Sequence, residues 1–246
     1  MFLSYSIAAD RFTLGGGSLG IYADGQIGPF SYLVGVWNGI DTDVAANPNN
    51  ELAYSGRFTY NVLNSPSSGQ TDFKYTEKPG LAVGVSGGYG HYDTGTQARV
   101  IVGSGDVQFK YKGYSLWLAG FWRQIDPDQF TQAQQDVAFS AYTGYFVIPK
   151  KLEIGVRASA LFDDINESGL NIDYVTTNAT RLGGNLSGGD VNGDADNEWE
   201  YTAGVNWYIK DTNIKFQTQY TLYVDGIPGP DDLVNHVFMA QIHLNF

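Results

Sequence analysis

The sequence has 246 residues, of which 15% are aromatic, 31 are glycine and only 16% are charged, a composition that favours strands over helices. Its formal net charge of −12 would repel a phosphate backbone, which argues against nucleic acid as a partner. It contains no cysteine and no apolar run of about 18 residues, which excludes disulfides, thiolate metal sites and a membrane-spanning helix.

Alternation of apolar and polar side chains predicts strands along the whole chain. In chain order, the expected strands cover residues 2–9, 19–27, 30–39, 51–62, 81–92, 103–111, 114–124, 136–147, 151–162, 198–207, 214–222 and 236–246. The alternation is clearest in 151–162, where Leu152, Ile154 and Val156 lie between polar or small residues. In 98–110 the pattern changes face near Gly103 and Gly105, which predicts a bulge or a shorter strand.

These strands number about 12, an even number, as single-chain membrane barrels require. Strands of about 9 to 13 residues are long enough for a tilted membrane crossing, and lipid offers no partner to an open sheet edge. The expected fold is therefore all-β: a single antiparallel transmembrane β-barrel over residues 1–246, with a soluble β-sandwich or solenoid as the alternative. Short connections should alternate with long ones, and 63–80 is an unexplained exception, because it is long but falls among the short turns.

The same alternation predicts which charged side chains line the interior of the barrel. The inward basic residues are Arg57, Lys110, Arg123, Arg157 and Lys215, and the inward acids are Asp24, Glu51, Asp106, Asp136, Glu153, Glu198 and Glu200. Two interpretations stay open: four of the basic residues, 57, 110, 123 and 157, form an anion-steering strip opposite the acids, or the charges form salt bridges across the lumen. Inward Trp117, Phe121, Tyr142 and Tyr208 would narrow the channel.

Other candidate sites are weaker. Residues 190–198 place oxygen-bearing side chains at alternate positions, like the start of a calcium loop, but the glycine comes too early and a solvated acidic loop explains them better. The three histidines, His91, His236 and His243, show no nearby serine that would indicate a hydrolase. The sequence therefore predicts no enzyme, no metal and no cofactor.

Two segments resemble recurrent hairpin segments of the phosphate-selective porin O and P family: residues 106–116 (DVQFKYKGYSL) and 204–209 (GVNWYI). Residues 11–13 (RFT) with the later Gly20 resemble a third, and the ending in Phe246 is similar to the terminal strand recognised by the outer-membrane assembly machinery. The resemblance implies a barrel of about 16 strands, so about four would be missing here. Since no signal peptide precedes the strands, we expect either a fragment or a natural or engineered barrel that closes with fewer strands.

The expected function is passive diffusion of small hydrophilic solutes or ions across the bacterial outer membrane. Phosphate selectivity, which the resemblance implies, needs many inward cations, and here inward acids outnumber them. A weakly cation-preferring or unselective pore is therefore expected, with an anion-selective porin or a structural scaffold of negligible conductance as alternatives. The expected partners are outer-membrane lipids, the solutes and the assembly machinery, and a homo-oligomer is left open.

Overall fold

The protein is all-β and forms one antiparallel sheet. The computed structural model describes residues 6, 8, 9, 12, 19–40, 50–66, 69–93, 97–127, 133–163, 197–210, 213–226 and 233–244. The sheet contains eleven strands in sequence order, each paired with its neighbours along the chain. They are β1 (Gly20–Ile27), β2 (Phe30–Trp37), β3 (Ala53–Leu63), β4 (Gly80–Asp93), β5 (Gln97–Tyr111), β6 (Tyr114–Pro127), β7 (Gln134–Ile148), β8 (Leu152–Phe162), β9 (Asn197–Lys210), β10 (Ile214–Gly226) and β11 (Leu233–Leu244).

The predicted strands from residue 19 onward correspond to β1 to β11, so the all-β, antiparallel prediction is confirmed. The first predicted strand, 2–9, is wrong at Ala8 and Ala9, whose backbone is helical, and its residues 2–5 and 7 lie outside the described part. The described sheet therefore has eleven strands instead of about 12.

The bulge expected near Gly103 and Gly105 is also absent from β5. That strand pairs with β4 and β6 without a register shift along its whole length. The sequence pattern changes because Ala98 and Val100 belong to an apolar cluster with Ile40, Ala53 and Ile125 on the otherwise polar face. The polarity of the face reverses there, and the strand itself continues.

The polarity of the two faces of the sheet is the reverse of that in a water-soluble protein. The face that we call the outer face exposes large apolar side chains, among them Phe139, Ile154, Trp199, Phe216 and Ile242. The opposite, inner face buries polar and charged side chains, among them Asp136, Arg157, Glu200, Gln217 and Thr221. No second sheet covers these inner residues in the described part, where neighbouring inner side chains and chain segments packed on this face bury them.

The edge strands are β1 and β11, and within the described residues no ladder joins them, so the sheet is not closed. Adjacent residues of both edge strands are exposed, as Ile21 and Tyr22 are in β1. Among the described residues, the structure contains no helix with the length and apolar character of a membrane span.

One end of the sheet, which we call the turn end, carries the tight hairpins at Gly28–Pro29, Lys112–Gly113 and Pro149–Lys150. Both residues of the Lys112–Gly113 turn have positive φ, 47° and 81°, as in the two-residue turns whose twist matches that of the paired strands. The connection between β3 and β4, residues 64–79, lies at the same end although it is much longer.

Candidate functional site

The inner face contains most of the charged residues predicted to line the interior. Eight of the twelve are buried: Lys110, Arg123, Arg157, Lys215, Asp106, Asp136, Glu153 and Glu200. Arg57 and Glu198 lie on the same face and are partly exposed. Asp24 is on the inner side of edge strand β1 but exposed, and Glu51 precedes β3 and is exposed.

Three of the arginines form ion pairs with carboxylates on nearby strands. Arg123 Nη2 lies 2.5 Å from Asp136 Oδ2, and its Nε donates to the same oxygen at 2.7 Å. Arg157 Nε donates to Glu200 Oε1 at 2.7 Å. Arg57 reaches across β4, where its Nη1 lies 2.7 Å from Asp106 Oδ2. These three salt bridges join strands that are adjacent or one strand apart along the inner face, and they differ in this from the salt bridges across the lumen that the sequence left open.

Hydrogen bonds also hold a buried carboxylate, that of Glu153, near the turn end. The hydroxyls of Tyr142 and Tyr208 donate to it at 3.2 Å and 2.9 Å, and Asn206 Nδ2 donates at 2.9 Å. The network continues through Gln217, which donates to Asn206 Oδ1 at 2.8 Å. Hydrogen-bonded polar groups therefore occupy the place that an apolar core takes in a soluble protein, and pairing is what makes their burial tolerable.

The described residues of the connection between β3 and β4, 64–66 and 69–79, fold back onto this inner face. Asp72 is fully buried, and its Oδ2 accepts hydrogen bonds from the backbone N–H groups of Thr76 at 2.9 Å and Gly113 at 2.8 Å. The Lys110 ammonium donates to the carbonyl oxygens of Gly69 at 2.5 Å and Thr71 at 3.0 Å. Lys110 therefore holds the segment against β5.

Aromatic contacts fix the same segment farther round the sheet. The Phe73 ring centroid lies 4.9 Å from that of Tyr208 in β9 and 5.9 Å from that of Phe146 in β7. The sequence analysis missed Asp72 and Phe73, because no periodic pattern marks them. The only signal was the unusual length of the connection between β3 and β4.

The described residues near the N-terminus also lie on the inner face. Ala8 and Phe12 form an apolar cluster with Ala138 and Leu161, and Phe121 packs against it. The guanidinium carbon of Arg123 lies 5.4 Å from the centroid of the Phe12 ring, within the range of a cation–π contact. Chain segments from two different parts of the sequence thus cover the same polar wall.

A cavity of about 380 Å³ remains between these segments and the wall, and it is lined in part by Gln70, Gln108, Lys110, Trp117, Tyr142 and Arg157. The inward orientation expected for Trp117, Phe121, Tyr142 and Tyr208 agrees with their positions on the inner face. The Trp117 indole N–H donates to Asp106 Oδ1 at 3.3 Å, so this aromatic ring is tied to the Arg57–Asp106 pair.

Metal-site geometry is absent from the residues that the structure describes, since no group of three or more His, Cys, Asp or Glu side chains converges there. The acidic segment 190–198 lies outside them, apart from Asn197 and Glu198. His91 and His236 each contact a tyrosine hydroxyl, of Tyr89 at 2.6 Å and Tyr220 at 2.5 Å.

The fold defines a class, a single curved antiparallel sheet with a polar inner face and an apolar outer face. No protein-family model matches the sequence, and no curated protein matches it.

Proposed function

We propose that this chain is a transmembrane β-barrel of the bacterial outer membrane and that small hydrophilic solutes or ions diffuse through it. The observation that carries the proposal is the inverted polarity of the sheet. Phe238 and Ile242 are about 70% exposed on the outer face, whereas Glu200 and Asp136 are fully buried on the inner face. Contiguous exposed apolar surface of this extent is typical of a surface that faces lipid or another protein, and polar interiors are typical of membrane barrels.

Closure of the barrel is part of the proposal. In hydrocarbon, every backbone N–H and C=O group needs a partner, so the edges at β1 and β11 could not face lipid. Strands β3 to β11 have 11 to 15 residues each and are long enough to cross when tilted. We therefore propose that β1 and β11 meet, directly or through a further strand.

Local charge compensation on the inner face supports weak ion selectivity. Arg57, Arg123 and Arg157 each pair with a carboxylate, so the field of each cation is largely cancelled within a few ångströms. Selecting phosphate would require cations that are not neutralised in this way. A weakly cation-preferring or unselective pore fits these pairs better than the anion-selective porin implied by the family resemblance.

A second function, a structural barrel of negligible conductance, is favoured by one observation. Residues 64–79 and the described residues between 6 and 12 cover the inner wall and leave a cavity of about 380 Å³ beside them. If these segments fill the interior completely, the barrel would serve as a scaffold in the membrane.

Conductance separates the two functions. The full chain, refolded into a planar bilayer, should give steady single-channel openings under a salt gradient, with a reversal potential shifted slightly toward the cation value. A strong shift toward the anion value would instead support the phosphate-selective alternative. Silence from a chain that is folded and inserted would support the scaffold and contradict the diffusion pore.

A further inference from the structure

We infer that residues 64–79 form the constriction of the pore, so that the chain narrows its own lumen from the turn end. This inference rests on the proposed function. Other hairpins at the turn end are closed by a few residues, whereas this connection is long enough to enter the space beside the inner face.

The segment is held at both its base and its inner part. At the base, the backbone N–H of Lys112 donates to the Thr76 carbonyl at 2.8 Å, next to the hydrogen bond between Gly113 and Asp72. At the inner part, Phe73 packs on aromatic rings of β7 and β9. These contacts involve different strands, so no single hairpin motion would release the segment.

The wall of the sheet is shaped to admit the segment. A Cβ atom on Gly80 would lie 3.1 Å from the Asn64 carbonyl oxygen and 3.1 Å from the Pro66 Cα. A Cβ atom on Gly113 would lie 2.6 Å from the Tyr75 ring. A side chain at position 80 would require small shifts at the base of the segment, and one at position 113 would require the Tyr75 ring to move, so the segment packs closely against both positions.

The segment also borders the cavity that remains. Gly69 and Gln70 line it on one side, and Gln108, Lys110 and Tyr142 line it on the other. Lys110 belongs to the wall and donates to Gly69, so the segment and the wall are in direct contact beside the cavity. The upper size of a permeating solute is therefore set by this segment, more than by the number of strands.

The main test replaces residues 65–78 with Asn-Gly, which closes a two-residue hairpin. The full chain and the variant are refolded, their folding is checked by circular dichroism and by heat-dependent electrophoretic mobility, and single-channel conductance is measured. Liposome swelling with sugars of increasing size follows. We expect the variant to conduct about twofold or more above the full chain and to admit larger sugars, because the lumen widens.

A pair of point variants keeps the test decisive if the shortened hairpin does not fold. Both carboxylate oxygens of Asp72 accept hydrogen bonds, and Asp72→Asn replaces one of them with an N–H group that faces other donors. We therefore expect this variant to loosen the segment and raise conductance. Glu77→Gln makes the same change of charge at an exposed position of the same segment and should leave conductance unchanged. Equal conductance for Asp72→Asn and Glu77→Gln would overturn the constriction.

The outcomes distinguish this inference from the proposed function. Equal conductance and equal sugar cut-off in the full chain and the shortened chain would overturn the constriction and leave the pore intact. Silence from both, when folded and inserted, would overturn the pore and the constriction together. If the full chain does not conduct and the shortened chain does, the segment closes the lumen completely. That result would support the constriction, and the intact protein would then be a structural scaffold.

Discussion

Individual residues on the inner face are charged, buried and paired, and the pair of Arg157 with Glu200 shows what holds them there. Thr202 also donates to Glu200 Oε1, at 2.8 Å, so the carboxylate is held by the hydroxyl as well as the guanidinium. Alternation along the strands predicted that both residues face inward. Their pairing could not be predicted, because Arg157 lies opposite Thr202 in the ladder and meets Glu200 diagonally, which depends on the register.

Glu200→Gln should destabilise the folded chain by about 3–5 kcal/mol, because it leaves the Arg157 charge buried without its carboxylate. Urea unfolding in detergent micelles or vesicles measures the change. The matched control is Asp126→Asn, which breaks the pair with Arg99, whose side chain is 44% exposed. That exposed pair should cost less than about 1 kcal/mol. Equal effects of the two variants would show that the Arg157 pair is as well hydrated as the surface pair.

Strand β4 leaves space on the inner face because most of its inward side chains are small. From residue 80 to residue 90 its inward positions hold only small residues, Gly80, Ala82, Gly84, Ser86, Gly88 and Gly90. This leaves room for Arg57 of β3 to reach Asp106 of β5 over the top of β4, and Ser86 Oγ accepts a hydrogen bond from the same guanidinium at 2.9 Å. The small inward side chains of β4 therefore allow an ion pair to form above them between β3 and β5.

Gly84→Ala should weaken this ion pair. The added Cβ would lie 2.5 Å from Arg57 Nη2 and 2.7 Å from Asp106 Oδ2, so the side chains must separate. We expect a cost of about 1–3 kcal/mol, as for other overpacked sites. Gly87→Ala is the control on the same strand, because its nearest neighbour, the Val102 carbonyl oxygen, would be 3.5 Å away. Comparison of the urea midpoints tests this, and equal midpoints would contradict it.

Strand positions could be predicted where alternation of side chains is strict, as in β7, β8 and β10. The first half of β5 could not be predicted in this way. Val100 faces inward among apolar residues, so apolar side chains occupy the positions that are polar elsewhere on the inner face. Residues 64–79 could not either, since their placement depends on single contacts such as those of Asp72 and Phe73. Periodicity reports on which face a side chain occupies and contains no information about an irregular segment packed against that face.

At the scale of the whole molecule, the exposed apolar outer face leads to a depth-dependent prediction. Val156 lies near the middle of β8 and Ile148 is the last residue of β7, and both are about half exposed on the sheet. In a bilayer, Val156→Arg should cost about 2–4 kcal/mol and Ile148→Arg about 0–1 kcal/mol. On a soluble sheet, both exposed substitutions would fall within about ±0.5 kcal/mol.

Reversible urea unfolding in lipid vesicles measures both variants. A large difference between them would support a lipid-facing outer surface, with its greatest depth near Val156. Two small and equal changes would contradict the membrane proposal, whatever the conductance measurements give.

The strict neighbour-to-neighbour order of β1 to β11 has a consequence for how such a sheet can change in size. In the described sheet every strand pairs only with the strands before and after it in the chain, and no crossover connection links one strand to another. A gene duplication that copied one hairpin, such as β7 with β8, would therefore add to the circumference without rerouting any other strand. Growth and loss of whole hairpins offer this architecture a simple evolutionary route to sheets with different numbers of strands.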